Sequence, residues 1–182
     1  SDKTGTLTCN ELTVRQVRTP DNVVYSLTGQ GFVPDGFFLL HGNPIGPDEV
    51  GKLSDLARTA ILCNEGDLLR RDDGWTCHGD PTDVALLAMA YKLGWQKEVT
   101  QEQYPQVNEI PFEPEHRFAA TFNRHGDEIR VHVKGAPERV LRMLASRQDE
   151  ERLMAVAHTM AAEGYRVLAF AYGPAPADLG SA

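Results

Sequence analysis

The chain begins Ser1-Asp2-Lys3-Thr4-Gly5-Thr6-Leu7-Thr8. An aspartate followed by a lysine and a tight Thr/Gly turn suits covalent phosphoryl transfer. Asp2 would be the nucleophile at a strand end. Backbone N–H groups and Thr hydroxyls of the turn would hold the phosphoryl oxygens. A second carboxylate two residues on would act as general acid and base and let water remove the phosphate. That position is Thr4. Without the acid, a phosphorylated Asp2 would persist.

The elements that must position such chemistry follow from hydrophobic spacing. Glu11–Arg18 and Asn22–Gln30 alternate as strands, joined by a Pro20-Asp21 turn. Gly29–Pro47 is rich in Gly and Pro and reads as loop around a short apolar piece, Phe37–Leu40. Asp48–Cys63 carries apolar residues at helical spacing. Asp67–Arg71 and Trp75–His78 flank Asp72-Asp73-Gly74 as a hairpin. A helix follows with Asp80 as N-cap, Pro81 in its first turn, Asp83 at a capping position and Gly94 as its stop. Gln96–Gln106 is polar and reads as irregular. Val107–Phe112, Arg117–Arg124 and Glu128–Lys134 read as strands, the last two joined at His125-Gly126-Asp127. Ala136–Ser146 and Asp149–Glu163 read as helices, with Gly164 as a stop and Tyr165–Tyr172 as a final strand. Strands in hairpins with helices between them predict an α+β fold built on a mainly antiparallel sheet.

Composition excludes several classes. The 182 residues are 41% hydrophobic and 24% charged, as in an ordinary globular domain. No apolar run has the length of a membrane span, and there is no signal-peptide pattern. Net charge is −8, which argues against nucleic acid as a partner. From Phe112 to Arg142, six basic residues face five acidic ones, so this stretch alone escapes the acidity. Cys9, Cys63 and Cys77 form no CxxC pair, and the six histidines show no metal-binding spacing.

The opening string resembles the phosphorylation motif of P-type ATPases, ion pumps that phosphorylate their own aspartate. Four further segments resemble motifs of that family, in its order: "GDPTDVALL", "PFEPEHRFAAT", "VKGAPERVL" and "YRVLAFAY". The GDPT and KGAPE forms resemble the type II branch, which includes calcium and sodium/potassium pumps. The resemblance covers the nucleotide-binding (N) domain. It implies a phosphorylation-domain edge and hinge at 1–8, the N domain at 9–173 and a tail toward a second hinge at 174–182. It also implies a twisted antiparallel sheet of about six or seven strands flanked by helices.

Carried over by position, the resemblance implies ATP as ligand. Phe112 would stack on adenine, an interaction of roughly 1–3 kcal/mol by analogy with nucleic-acid bases. Arg117, Lys134 and Arg166 would meet the phosphates. Gly135 would allow close approach of ligand and backbone. Asp83 would contact the adenine side, although helix capping explains it equally well, and Thr82 is a weaker candidate beside it. Pro114 stands where many relatives have a basic or small polar residue, which implies a missing phosphate contact and modest affinity. In the intact pump Asp2 would be the phosphorylated aspartate, with Lys3 and Thr4 beside it and Asp2 and Thr4 serving Mg²⁺.

The phosphorylation, actuator and transmembrane domains of one parent chain would be the partners. The TGD, DPPR and GDGxND types of motif are absent from these residues, so the isolated chain is expected to bind nucleotide as a monomer without turning over. Asp2 is then the parent's nucleophile at the edge of a cut piece. The implied location is the cytoplasmic side of a prokaryotic plasma membrane, with calcium the first guess for the ion. Two alternatives stand beside this: a haloacid dehalogenase-type phosphatase using Asp2, and a regulatory module with a vestigial nucleotide site.

Overall fold

A computed structural model of the chain describes residues 11–72 and 74–175. Asp2, Lys3, Thr4, Cys9, Asp73 and most of the 174–182 tail lie outside the described residues. The chain divides into two compact units, with the boundary between Lys97 and Glu98.

The first unit opens with a four-stranded antiparallel sheet in the order β1 (Gln16–Arg18), β2 (Val24–Leu27), β3 (Phe38–Leu40) and β4 (Asn43–Pro44). The β1–β2 turn is the expected one, with Pro20 inside it and Asn22 N–H donating to the Thr19 carbonyl at 2.9 Å. β3 and β4 correct the expectation of a loop over Gly29–Pro47. Leu40 pairs with Asn43 across His41-Gly42, both at positive φ (51° and 82°), the signature of a type I′ turn. The long helix expected over Asp48–Cys63 is two, α1 (Pro47–Lys52) and α2 (Ser54–Leu62). They break at buried Leu53, whose φ/ψ of −93°/3° leaves the helical basin.

Strands β5 (Asp67–Arg71) and β6 (Gly74–His78) form the expected hairpin. Helix α3 (Pro81–Lys92) follows, and the side chain of its N-cap Asp80 accepts from Thr82 N–H. It ends in a Schellman arrangement: Gly94 N–H donates to the Tyr91 carbonyl and Trp95 N–H to that of Ala90. Val84 through Ala90 are all buried, and α3 packs on α2, in which Ala57, Ala60 and Ile61 are buried.

Helix α4 (Lys97–Gln103), where the sequence predicted irregular chain, crosses the boundary into the second unit. Only Thr100 of α4 is buried, so the helix carries no apolar periodicity to reveal it. A four-stranded antiparallel sheet follows in the order β10 (Ala169–Pro174), β9 (Glu128–Gly135), β8 (Phe118–His125) and β7 (Gln106–Ile110). The β8–β9 hairpin turns at Gly126-Asp127 as expected, with Gly126 at φ 62°. The helix expected over Ala136–Ser146 is a single turn, α5 (Pro137–Val140), continued by a 3₁₀ turn at Leu141–Met143. α6 (Arg147–Ala162) is capped by the Ser146 hydroxyl, which accepts from Asp149 N–H, and ends at Gly164 as predicted.

One face of this sheet forms the unit's core. Ala120, Val133 and Val140 are buried together, with Phe118, Val131, Ala169 and Ala171 against them. Alternation then puts Thr121, Asn123, His132 and Lys134 on the opposite face, where all four are also buried. His125 Nε2 and His132 Nε2 lie 3.0 Å apart there, and the Asn123 amide donates to the Tyr104 carbonyl. The α+β class with antiparallel pairing is thus found, as ten strands in three hydrogen-bonded sheets among the described residues. No described helix is long and apolar enough to cross a membrane.

Candidate functional site

The register of the second unit's sheet gathers the predicted residues at one end of it. Phe118, which starts β8, pairs with Gly135, which ends β9. Ala169, which starts β10, pairs with the same Gly135. Ile110, which ends β7, pairs with Ala120. The sequence positions next to these strand ends are Phe112 after β7, Arg117 before β8, Lys134 within the end of β9 and Arg166 before β10. Four strand ends from separate parts of the chain therefore bring one aromatic residue and three cations to one edge of a single sheet.

Three of these residues leave the strands predicted for them. Phe112 lies two residues beyond β7 and is 55% exposed, so it is not a core phenylalanine. Arg117 lies just before β8 at φ 58°. Arg166 lies three residues before β10, in the exposed connection from α6. Lys134 sits in β9 as predicted and is only 9% exposed, with Ala119 and Phe170 as its cross-strand neighbours.

The loop that carries Phe112 and Arg117 has a definite shape. His116 N–H and Arg117 N–H both donate to the Glu113 carbonyl, at 3.0 and 2.8 Å. Pro114 occupies the second position of this turn, which its fixed φ suits. Pro114 thus has a local conformational role. His116 Nδ1 lies 3.2 Å from a carboxylate oxygen of Glu113. Arg117 closes the turn in the left-handed region, which few non-glycine residues occupy.

Arg117 is then fixed from the KGAPE side. Its carbonyl accepts Ala136 N–H at 2.9 Å. Its guanidinium lies 2.7 Å from the Glu138 carboxylate, in the first turn of α5. The neighbouring Arg139 guanidinium donates to the Glu115 carbonyl at 3.3 Å. Gly135 is required by the same contact: a Cβ there would lie 2.5 Å from the Arg117 carbonyl oxygen and 2.6 Å from Phe118 Cα. The close approach expected at Gly135 is therefore made by the chain's own β8. Glu138 was missed as a partner of Arg117, although it is the last residue of the KGAPE string. Only the fold reveals that the two strings meet.

Asp83 belongs to the first unit. It lies in the first turn of α3, where the Asp80 side chain caps by accepting from Thr82 N–H. The Asp83 carboxylate accepts Glu65 N–H at 3.0 Å, and its carbonyl accepts the Asn64 amide at 2.9 Å. Both bonds fasten the Asn64–Gly66 turn onto the start of α3. Thr82, beside it, has a buried hydroxyl with no hydrogen-bond partner among the described residues.

The described residues contain no group of three or more His, Cys, Asp or Glu side chains able to hold a metal ion. The chemistry at this end of the sheet is that of an exposed ring and three cations on neighbouring strand ends. It suits a ligand with one flat apolar part and one anionic part.

Comparison with known proteins bears on this arrangement. The family model described as the P-type ATPase cytoplasmic domain N matches residues 52–180. A Synechocystis protein named cation-transporting ATPase pma1 is 36% identical over 191 residues, covering 94% of this chain and 20% of that protein. A calcium-transporting ATPase of Bacillus subtilis is 31% identical, covering 96% of this chain and 21% of its own length. The bovine calcium-transporting ATPase type 2C member 1 is likewise 31% identical, with 96% and 19% covered. The chain thus spans about a fifth of the length of these curated relatives. With well over half of its residues matched, the chain belongs to the family of P-type ATPase cytoplasmic N domains.

Proposed function

We propose that this chain is the ATP-binding domain of a cation-transporting P-type ATPase, and that ATP binds at the edge of the second unit's sheet. The carrying observation is the register that brings Phe112, Arg117, Lys134 and Arg166 to one sheet edge. The exposed ring of Phe112 takes the adenine face. Arg117, Lys134 and Arg166 supply positive charge to the phosphates, Arg117 as a planar fork and Lys134 as a point charge.

In the whole pump, the γ-phosphoryl group passes to the Asp2 carboxylate with ADP as the leaving group. Lys3 and Thr4, the next two residues in sequence, serve the same step, and the acyl phosphate drives the transport cycle. Mg²⁺, held in part by Asp2 and Thr4 in this reading, would neutralise charge on the transferring group. The remaining metal-binding groups, the actuator and the membrane helices come from the rest of the parent chain. The domain lies on the cytoplasmic side of a prokaryotic plasma membrane, and calcium is the proposed ion. The 182-residue chain by itself binds ATP as a monomer without hydrolysing it.

The test is a titration of the chain with ATP, followed through backbone amide shifts, in wild type, Phe112→Ala and Lys134→Ala. Saturable shifts centred on 112–118, 134–136 and 166–169, weakened in both variants, are the expected result. Shifts confined to other residues, or unchanged affinity in both variants, would sink the reading. Hydrolysis of an aryl phosphate abolished by Asp2→Asn would favour the phosphatase alternative instead.

A further inference from the structure

We propose that Glu138 is a built-in competitor of the phosphates for Arg117, and that it sets how strongly the site favours a triphosphate over a nucleoside. The inference rests on the nucleotide reading above and concerns a residue to which that reading gives no role.

Two residues anchored through their backbones set up the competition. Arg117 is held through its backbone by the Ala136 N–H bond and the close contact at Gly135, which fixes the point of the loop from which its guanidinium reaches out. Glu138 is held just as firmly, one residue after Pro137 in the first turn of α5. The guanidinium and the carboxylate are 49% and 42% exposed, so an anion in solution can reach both. A phosphate arriving at the guanidinium nitrogen that faces Glu138 competes with that carboxylate and then sits beside its negative charge. Glu113 and Glu115 lie on the same loop, but Glu113 is engaged by His116. The cost falls on the anionic part of the ligand only, because the nucleoside part meets the uncharged ring of Phe112. An exposed pair is weak, so the expected effect is modest, about two- to fivefold in affinity.

The experiment compares the 182-residue chain with Glu138→Gln by calorimetric titration with ATP and, separately, with adenosine. The isosteric change keeps a hydrogen-bonding group and removes the charge. The expected result is ATP binding tightened about two- to fivefold, with adenosine binding unchanged. Glu138→Asp, which keeps the charge, should retain ATP affinity close to wild type. In an Arg117→Gln background the gain from Glu138→Gln should shrink, since the two residues act as one unit.

Unchanged or weakened ATP binding in Glu138→Gln would overturn the proposal. So would a parallel change for adenosine, which would mean that Glu138 merely holds the loop. An undiminished gain in the Arg117→Gln background would also overturn it. If neither wild type nor variant binds ATP, the nucleotide site itself is wrong, and the proposal falls with it.

Discussion

Arg117 and Glu138 come from two separate strings of the sequence, yet their side chains meet at 2.7 Å. The contact is one of three that bind the 113–117 loop to the start of α5, together with the Ala136–Arg117 and Arg139–Glu115 bonds. The price of this latch is a left-handed arginine. Strain of about 1–3 kcal/mol persists only where the surroundings over-determine it, and it concentrates at functional positions. A cation carried on a strained, latched loop beside an exposed aromatic ring is consistent with a ligand site and hard to explain as packing.

Substitution at Arg117 should separate the strain from the charge. Arg117→Ala keeps the left-handed backbone and loses the ion pair. Arg117→Gly loses the pair and relieves the strain. The glycine variant should be more stable than the alanine variant by about 1 kcal/mol, and both should bind ATP severalfold more weakly. Urea unfolding and calorimetric titration read the two quantities. Equal stability of the two variants would mean that the backbone at Arg117 is not strained.

Gly135 should tolerate no side chain. The atoms that a Cβ would meet, at 2.5 and 2.6 Å, are backbone atoms of Arg117 and Phe118, which cannot rotate aside. Gly135→Ala must spread the β8–β9 ladder at the end that carries Arg117 and Lys134. A loss of about 1–3 kcal/mol in urea unfolding is expected, together with weaker ATP binding. Stability within about 0.5 kcal/mol of wild type would show that the two strand ends part easily.

What could be read in the sequence and what could not divide along physical lines. The α3 cap at Asp80, its stop at Gly94 and the turn at Gly126-Asp127 are set within a few residues of chain, and the sequence displays them. The β3–β4 hairpin is equally local, but its turn uses His41 at positive φ, a residue that gives no turn signal. Helix α4 buries one threonine and lacks apolar spacing. At the site, motif strings identified Phe112, Arg117, Lys134 and Arg166 by type. The register that gathers them, and the pairing of Arg117 with Glu138, depend on strands brought together from 106 to 174. No local pattern encodes that pairing.

Asp83 offers a test between a structural and a ligand-binding role. Its carboxylate accepts Glu65 N–H at 3.0 Å in the first unit. Removing the acceptor in Asp83→Ala should cost about 1 kcal/mol, and Asp83→Asn, which keeps an oxygen, should recover most of it. Faster hydrogen exchange at the Glu65 amide in Asp83→Ala would locate the loss. Unchanged stability with weakened ATP binding would instead assign Asp83 to the nucleotide.

Alkaline pH should weaken the first unit through Tyr25. The buried phenol donates to the Glu49 carboxylate, which ties β2 to α1. Burial first, and then the Glu49 carboxylate, push its pKa up to about 12, from an ordinary value of about 10. Above about pH 10 the unfolded chain releases this proton while the folded chain still holds it. The stability that the group contributes is therefore complete below about pH 10 and declines as pH climbs toward 12. Thermal melts across that range should show a steeper alkaline loss in wild type than in Tyr25→Phe, which has no phenol to ionise. Phenolate absorbance should place the missing ionisation at the top of the same range. Identical alkaline profiles in the two proteins would mean that Tyr25 titrates as it does in the unfolded chain and that the Glu49 contact contributes nothing to its proton affinity.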